Sequence, residues 1–177
     1  MSSLDRIQIT GTSCSGKTEL ARRLAPLLGA PHVDLDDLHW LPGWRERPAE
    51  EFRADVSRIV ATDRWVIAGN YEKLSQDLTF PRTTTVIWLD YSFPVTFWRA
   101  LARTARRIVT QEACCNGNRE SLRKALLSRE SILLWVIQTH GKRRRDYPAR
   151  LARSDNAHLR VLQFRTPRET EAWIRTL

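Results

Sequence analysis

The sequence predicts an α/β domain: three layers, with a five-stranded parallel sheet between helices and a long helical insertion before the last strand. Three observations predict it. Short apolar runs of strand length alternate with longer helical stretches along the 177 residues. Gly29 stands where a helix should stop, and Pro48 and Pro167 stand where helices should start. The first strand runs directly into the glycine-bearing loop "GTSCSGKT", which opens a helix.

Each element follows from local chemistry. Ile7–Thr10 reads as strand one, and a helix follows from Lys17 to Gly29. His32–Leu35 is strand two. The segment "PAEEF" then opens a helix, with two acids in a first turn that favours negative charge. Trp65–Ala68 and Thr84–Leu89 are strands three and four, and a helix covers Phe93–Val109. The tract "TQEACCNGN" breaks the pattern, and helical sequence resumes from Arg119 to His140, with Gly141 as its stop. Leu159–Phe164 is strand five, and Pro167 opens the final helix. The about 68 residues between strands four and five exceed a simple crossover, so they read as a lid. The expected division is a core of residues 1–37, 63–98 and 157–177, an acceptor-binding region of 38–62, and a lid and helical insertion of about 99–156.

Composition narrows the class. No run reaches the ~18 apolar residues of a membrane span, and the start "MSSLDR" is too polar for a leader, so the expected location is cytoplasmic. Three cysteines, two of them adjacent, offer no disulfide framework and no zinc site. The net charge is +9, and all but four of the 29 basic residues are Arg. Base composition of the genome explains that excess as well as a polyanionic partner does.

The loop carries the chemistry. Gly11, Gly16, Lys17 and Thr18 match G-x-x-x-x-G-K-[ST] between a strand and a helix. Main-chain N–H groups from Gly11 through Ser13, Cys14 and Ser15 to Glu19 would converge on phosphate oxygens at a helix N-terminus. Lys17 would reach the β- and γ-phosphates, and Thr18 would offer its hydroxyl to Mg²⁺. The expected cofactors are ATP and Mg. Asp34, Asp36 and Asp37 in "VDLDDLHWLPGW" fall at the end of strand two. Asp36 is read there as base and metal carboxylate, Asp34 as an acceptor contact, and Asp37 as a helix cap.

The series "GTSCSGKTELARRLA", "VDLDDLHWLPGW", "WVIAGNY", "VIWLDYSFPVTFWRALAR" and "CNGNRESLRKALLSRESILLW" resembles, in the same order, the small bacterial phosphate-loop proteins called DNA topology modulation proteins, an adenylate-kinase-like group. The resemblance implies a fold like that of adenylate, shikimate and gluconate kinases, with sheet order 2-3-1-4-5. It also implies a substrate-binding region after strand two and an arginine-bearing lid after strand four. Relatives carry an acid before "GNY", where this chain has Ala68, so Asp36, Asp34 or Asp90 would have to supply the metal carboxylate. By the same resemblance Asn70 and Tyr71 contact substrate, and Arg119 acts as a lid arginine. Arg165, before Pro167, would meet the adenine base.

Arg99, Arg103 and Arg106 recur on one face of the helix after strand four, with Leu101, Ala105 and Ile108 on the face expected to pack inward. Arg99 is read as an acceptor contact, and Arg103 with Arg106 or Arg107 as a clamp on the transferring phosphoryl. Trp40 and Trp44 flank the acceptor entrance as stacking surfaces or as a small apolar cap, and Trp135 in "SILLWVI" reads as core. The basic run in "KRRRDYPAR" reads first as a solvated helix start. The expected activity is an ATP- and Mg-dependent kinase of a small molecule, monomeric or homodimeric, with no membrane partner. Two alternatives stand behind it: a nucleoside monophosphate kinase, and an ATP-binding regulator that uses the basic run on DNA.

Overall fold

A computed structural model describes residues 4–120 and 131–177. Five parallel strands form the central sheet: β1 (Arg6–Gly11), β2 (His32–Asp34), β5 (Trp65–Ala68), β6 (Thr85–Leu89) and β9 (Arg160–Phe164). Their order is β2-β5-β1-β6-β9. Numbered among themselves, these strands run 2-3-1-4-5, the order the resemblance implies. The layers come from the alternation of side chains along each strand. Trp65 and Ile67 of β5 point into one core with Leu35, Phe52 and Val56, while Val66 and Ala68 join Ile7, Ile9, Leu24, Ile87 and Leu89 on the other face. With both faces covered, β5 and β6 are buried throughout, in keeping with their largely apolar runs.

The helices are α1 (Lys17–Leu28), α2 (Leu35–His39), α3 (Ala49–Val60), α4 (Glu72–Thr79), α5 (Phe93–Thr110), α6 (Ile132–Leu151) and α7 (Pro167–Ile174). Gly29 ends α1 in the left-handed conformation, and Pro48 precedes α3. Two small antiparallel hairpins, β3–β4 (Trp40–Leu41 with Arg45–Glu46) and β7–β8 (Ala113–Cys114 with Asn118–Arg119), and two short 3₁₀ turns, Phe80–Arg82 and Ser154–Asn156, complete the described elements. No described helix is long and apolar enough to cross a membrane.

Two helices differ from expectation. The inward residues of α5 are Thr96, Ala100 and Thr104, whereas Leu101 is 37% exposed. Thr96 bonds the carbonyls of Ser92 and Phe93 in its own helix, so a small polar side chain can face inward without losing a partner. That choice rotates the helix away from the Leu101, Ala105 and Ile108 face. Helix α6 runs through Gly141 and Pro148 to Leu151. Gly141 is therefore not a stop, and the 121–130 part of the expected helix lies outside the described residues. The inward stripe of α6 is Val136, His140, Arg143, Tyr147 and Arg150, a regular helical period that overrides the ~1 kcal/mol cost of a mid-helix glycine. Trp135 is 48% exposed, with its neighbour Val136 taking the core position.

Candidate phosphate-loop site

The site forms where the strand ends β1, β2 and β5 meet α1 and α6. β1 delivers Gly11 into a turn with φ 150, where a Cβ would lie 2.7 Å from the Leu89 carbonyl oxygen. Only glycine fits there. The loop closes as the Ser15 N–H donates to the Thr12 oxygen at 3.1 Å. Cys14 takes a left-handed conformation between them (φ 65). Gly16 caps α1, and Lys17 and Thr18 occupy its first turn.

Lys17 Nζ donates to the carbonyl oxygens of Gly11 and Thr12, both at 3.1 Å. Burial and the neighbouring Arg143 guanidinium lower it to about 8, while Asp36, Asp34 and Cys14 oppose the shift. The Thr18 hydroxyl donates to Asp34 Oδ2 at 2.5 Å, and Asp34 Oδ1 caps α2 through the Asp36 N–H at 2.9 Å. The carboxylate beside Thr18 is thus Asp34, expected among the acceptor contacts, and not Asp36. Burial, and then Asp36, raise the Asp34 carboxyl. In the sheet Asp34 stands directly across from Ala68, so the neighbouring strand provides an acid where β5 has none. Asp90 does not compensate for Ala68: Arg144 Nε at 2.8 Å and Gln163 Nε2 at 2.9 Å hold its two oxygens.

Asp36 accepts the Tyr71 hydroxyl at 2.8 Å, and burial followed by Asp36 raises the Tyr71 phenol above its usual range. Asn70 serves the loop itself: Oδ1 accepts from the Gly11 N–H and the Thr10 hydroxyl, and Nδ2 donates to the Gly11 oxygen at 2.7 Å. Its amide thus pairs with the loop backbone much as a strand would. Gly69 enables this turn, since a Cβ there would lie 2.7 Å from Leu35 Cβ.

Two hairpins roof the region of Asp36. Asn116 Nδ2 donates to the oxygens of Asp37 and Trp40, at 2.6 and 2.7 Å. Asn118 receives the Trp44 N–H at 2.8 Å and donates to the Leu41 oxygen at 3.0 Å. The Trp44 indole N–H bonds the Arg119 oxygen at 3.2 Å, so this tryptophan latches one hairpin to the other, while Trp40 meets it edge to face. Arg119 enters the roof through its backbone.

The arginines divide. Arg99 donates to the Ser15 oxygen at 2.9 Å and lies over the Tyr91 ring, on the loop side it shares with Glu19 and Pro167. Arg103 and Arg107 converge on Glu120, Arg107 at 2.8 Å and Arg103 at 3.9 Å. Arg106 turns outward to Glu112 with its side chain 61% exposed, so the inward pair is Arg103 with Arg107 and does not include Arg106. The run after Gly141 is no solvated helix start. Arg143 Nη1 reaches the Gly11 oxygen at 3.1 Å, and Arg144 pairs with Asp90. Sequence reasoning misses Arg143 and Tyr147 because Gly141 reads as a helix stop. The spacing of Val136, His140, Arg143 and Tyr147 is the signal that could have found them.

A cavity of about 190 Å³ lies beside the loop, lined by Gly16, Glu19, Tyr91, Arg99, Pro167 and Glu171 among others. Pro167 forms part of it; Arg165 stays outside, its N–H bonded to Glu169. Among the described residues no cluster of His, Cys, Asp and Glu builds a metal cage. A magnesium ion would therefore draw on Thr18, Asp34, water and phosphate oxygens.

No protein-family model matches the chain, and no curated protein sequence does. Solved structures match its shape. Shikimate kinase from Bacteroides thetaiotaomicron aligns with a TM-score of 0.57 and 18% identity over 97% of this chain and 95% of its own. Shikimate kinase from Acinetobacter baumannii, solved with shikimate, gives 0.57 and 16% over 99% and 91%. A gluconokinase from Sinorhizobium meliloti gives 0.52 and 17% over 99% and 94%. The chain shares the phosphate-loop kinase fold of these proteins. None of the comparisons supports the DNA topology name.

Proposed function

We propose that the protein is an ATP- and magnesium-dependent phosphotransferase that acts on the hydroxyl group of a small molecule. The observation that carries this reading is the grouping of Lys17, Thr18, Asp34 and Asp36 around one glycine loop. The residues suit both cofactors. Thr18 and Asp34 present hard oxygens side by side, Lys17 donates to the Gly11 and Thr12 carbonyls among the described residues, and the cavity at Pro167 has room for a base. Magnesium, when bound, neutralises phosphate charge and orients the γ-phosphoryl. The kinase neighbours support the reading through shared fold.

The chain's own residues do the rest. Asp36 takes the proton from the attacking hydroxyl, since Tyr71 holds its Oδ1 and leaves the other oxygen for the acceptor. The acceptor oxygen bonds to the γ-phosphorus while the bond to the ADP oxygen breaks. Lys17 offsets charge on the transferring group, and Arg103 and Arg107 wait on Glu120 beside the loop. The joined hairpins over Asp36 exclude water, which would otherwise compete as acceptor.

The test is ADP release from magnesium–ATP across a panel of hydroxyl compounds, each corrected for hydrolysis without acceptor. Lys17→Ala should abolish turnover, and Asp36→Asn should lower it by roughly 10²–10⁴-fold. Well-folded wild-type protein that binds no purine triphosphate in calorimetry would end the proposal.

A further inference from the structure

The Gly11 carbonyl oxygen receives three donors: Asn70 Nδ2 at 2.7 Å, Lys17 Nζ at 3.1 Å and Arg143 Nη1 at 3.1 Å. A carbonyl oxygen has two lone pairs, so one donor is in excess. Asn70 is the fixed one, because its amide also holds the Gly11 N–H and the Thr10 hydroxyl. The two cations share what is left.

Among the described residues no carboxylate lies within ion-pair distance of Arg143. Two other arginines of α6 are matched, Arg144 to Asp90 and Arg150 to Glu72. Lys17 and Arg143 are like charges brought together on a neutral oxygen. Such a pair is costly without an anion between its members. Nor is Arg143 a wandering surface side chain. One turn later Tyr147 stacks on Trp88 at 5.4 Å and contacts the Thr10 hydroxyl, and one turn earlier His140 Nε2 meets the Tyr91 oxygen at 3.0 Å. α6 is pinned on both sides of the guanidinium.

We propose that Arg143 and Lys17 together seat the terminal phosphoryl group of a nucleoside triphosphate, with the Gly11 oxygen holding both cations until that group arrives. The inference rests on the phosphate-loop reading above and adds the residue that separates triphosphate from diphosphate. The planar fork of Arg143 can grip two oxygens of one phosphoryl, which a single ammonium cannot.

Calorimetry with a magnesium-bound, non-hydrolysable ATP analogue and with magnesium–ADP tests it on the full chain. Arg143→Ala should weaken the analogue about tenfold or more and ADP less than about twofold, and Arg143→Lys should recover part of the loss. Where Arg143→Ala melts below wild type, Arg143→Gln is measured in its place. Equal losses for the two nucleotides, or none for the analogue, overturn the role of Arg143 while leaving the loop reading intact. Wild-type protein that binds neither nucleotide overturns both.

Discussion

Helices α5 and α6 both send arginines toward the phosphate loop, and the two sets are held in different ways. On α5, Arg103 and Arg107 close on Glu120, whose side chain is 12% exposed. On α6, Arg143 ends on a neutral carbonyl beside Lys17, with no described carboxylate near it. The α5 pair is stable as it stands and must be drawn from its acid before it can serve a phosphate. The α6 residue has a carbonyl but no described carboxylate for a partner, and gains when an anion comes. Arg143 touches the loop at Gly11, and Arg103 and Arg107 act on Cys14 only through their charge; the larger difference lies in what already neutralises each set.

That contrast can be broken experimentally. The largest expected effect is on ligand stabilisation: magnesium–ATP at a hundred times its Kd should raise wild-type stability by about 2.7 kcal/mol. In thermal melts at that same concentration, Arg143→Ala should lose about half of this gain, and Arg103→Ala should keep most of it. The reverse ranking would hand the phosphoryl contact to α5.

Next comes stability without ligand. Arg107→Ala should cost about 1–3 kcal/mol in urea titrations, because it leaves the largely buried side chain of Glu120 with Arg103, at 3.9 Å, as its remaining described ion-pair partner. Arg143→Ala strands no carboxylate and should cost less. Equal costs would mean that Glu120 is not what distinguishes the helices.

A smaller effect is linked to protons. The free protein holds Lys17 at about 8, below its ordinary 10.5, so part of it is neutral at pH 8.5. An anion raises the folded value again, and binding at pH 8.5 should take up a fraction of one proton, falling toward none at pH 6.5. Calorimetry in two buffers of different ionisation enthalpy measures this uptake. Proton release at pH 8.5 would contradict the assignment. Least affected should be Arg106→Ala, whose exposed pair with Glu112 is worth under about 0.5 kcal/mol and whose loss should leave nucleotide affinity unchanged.

Much of the site is legible in the sequence. The loop from Gly11 to Thr18 combines glycines, a lysine and a hydroxyl at a strand-to-helix junction, and that local pattern is enough. The exchange between Asp34 and Asp36 is not legible. Both stand two residues apart at one strand end, and which reaches Thr18 depends on where α2 begins. Asn70 reads as a substrate contact because its partner, the Gly11 backbone, is 59 positions away in the chain.

The sequence by itself determined the five sheet strands in chain order, the helix starts at Pro48 and Pro167, the stop at Gly29 and the glycine loop between the first strand and helix. All of these arise from contacts within a few residues, where backbone sterics and alternation of side chains decide. Only the tertiary structure decided that α6 continues through Gly141, that Trp135 faces outward, that α5 turns threonines inward, and that Arg143 meets Lys17 at one carbonyl. Those outcomes depend on which surfaces the folded chain brings together, and burial over a whole helix face outweighs a single residue's local preference.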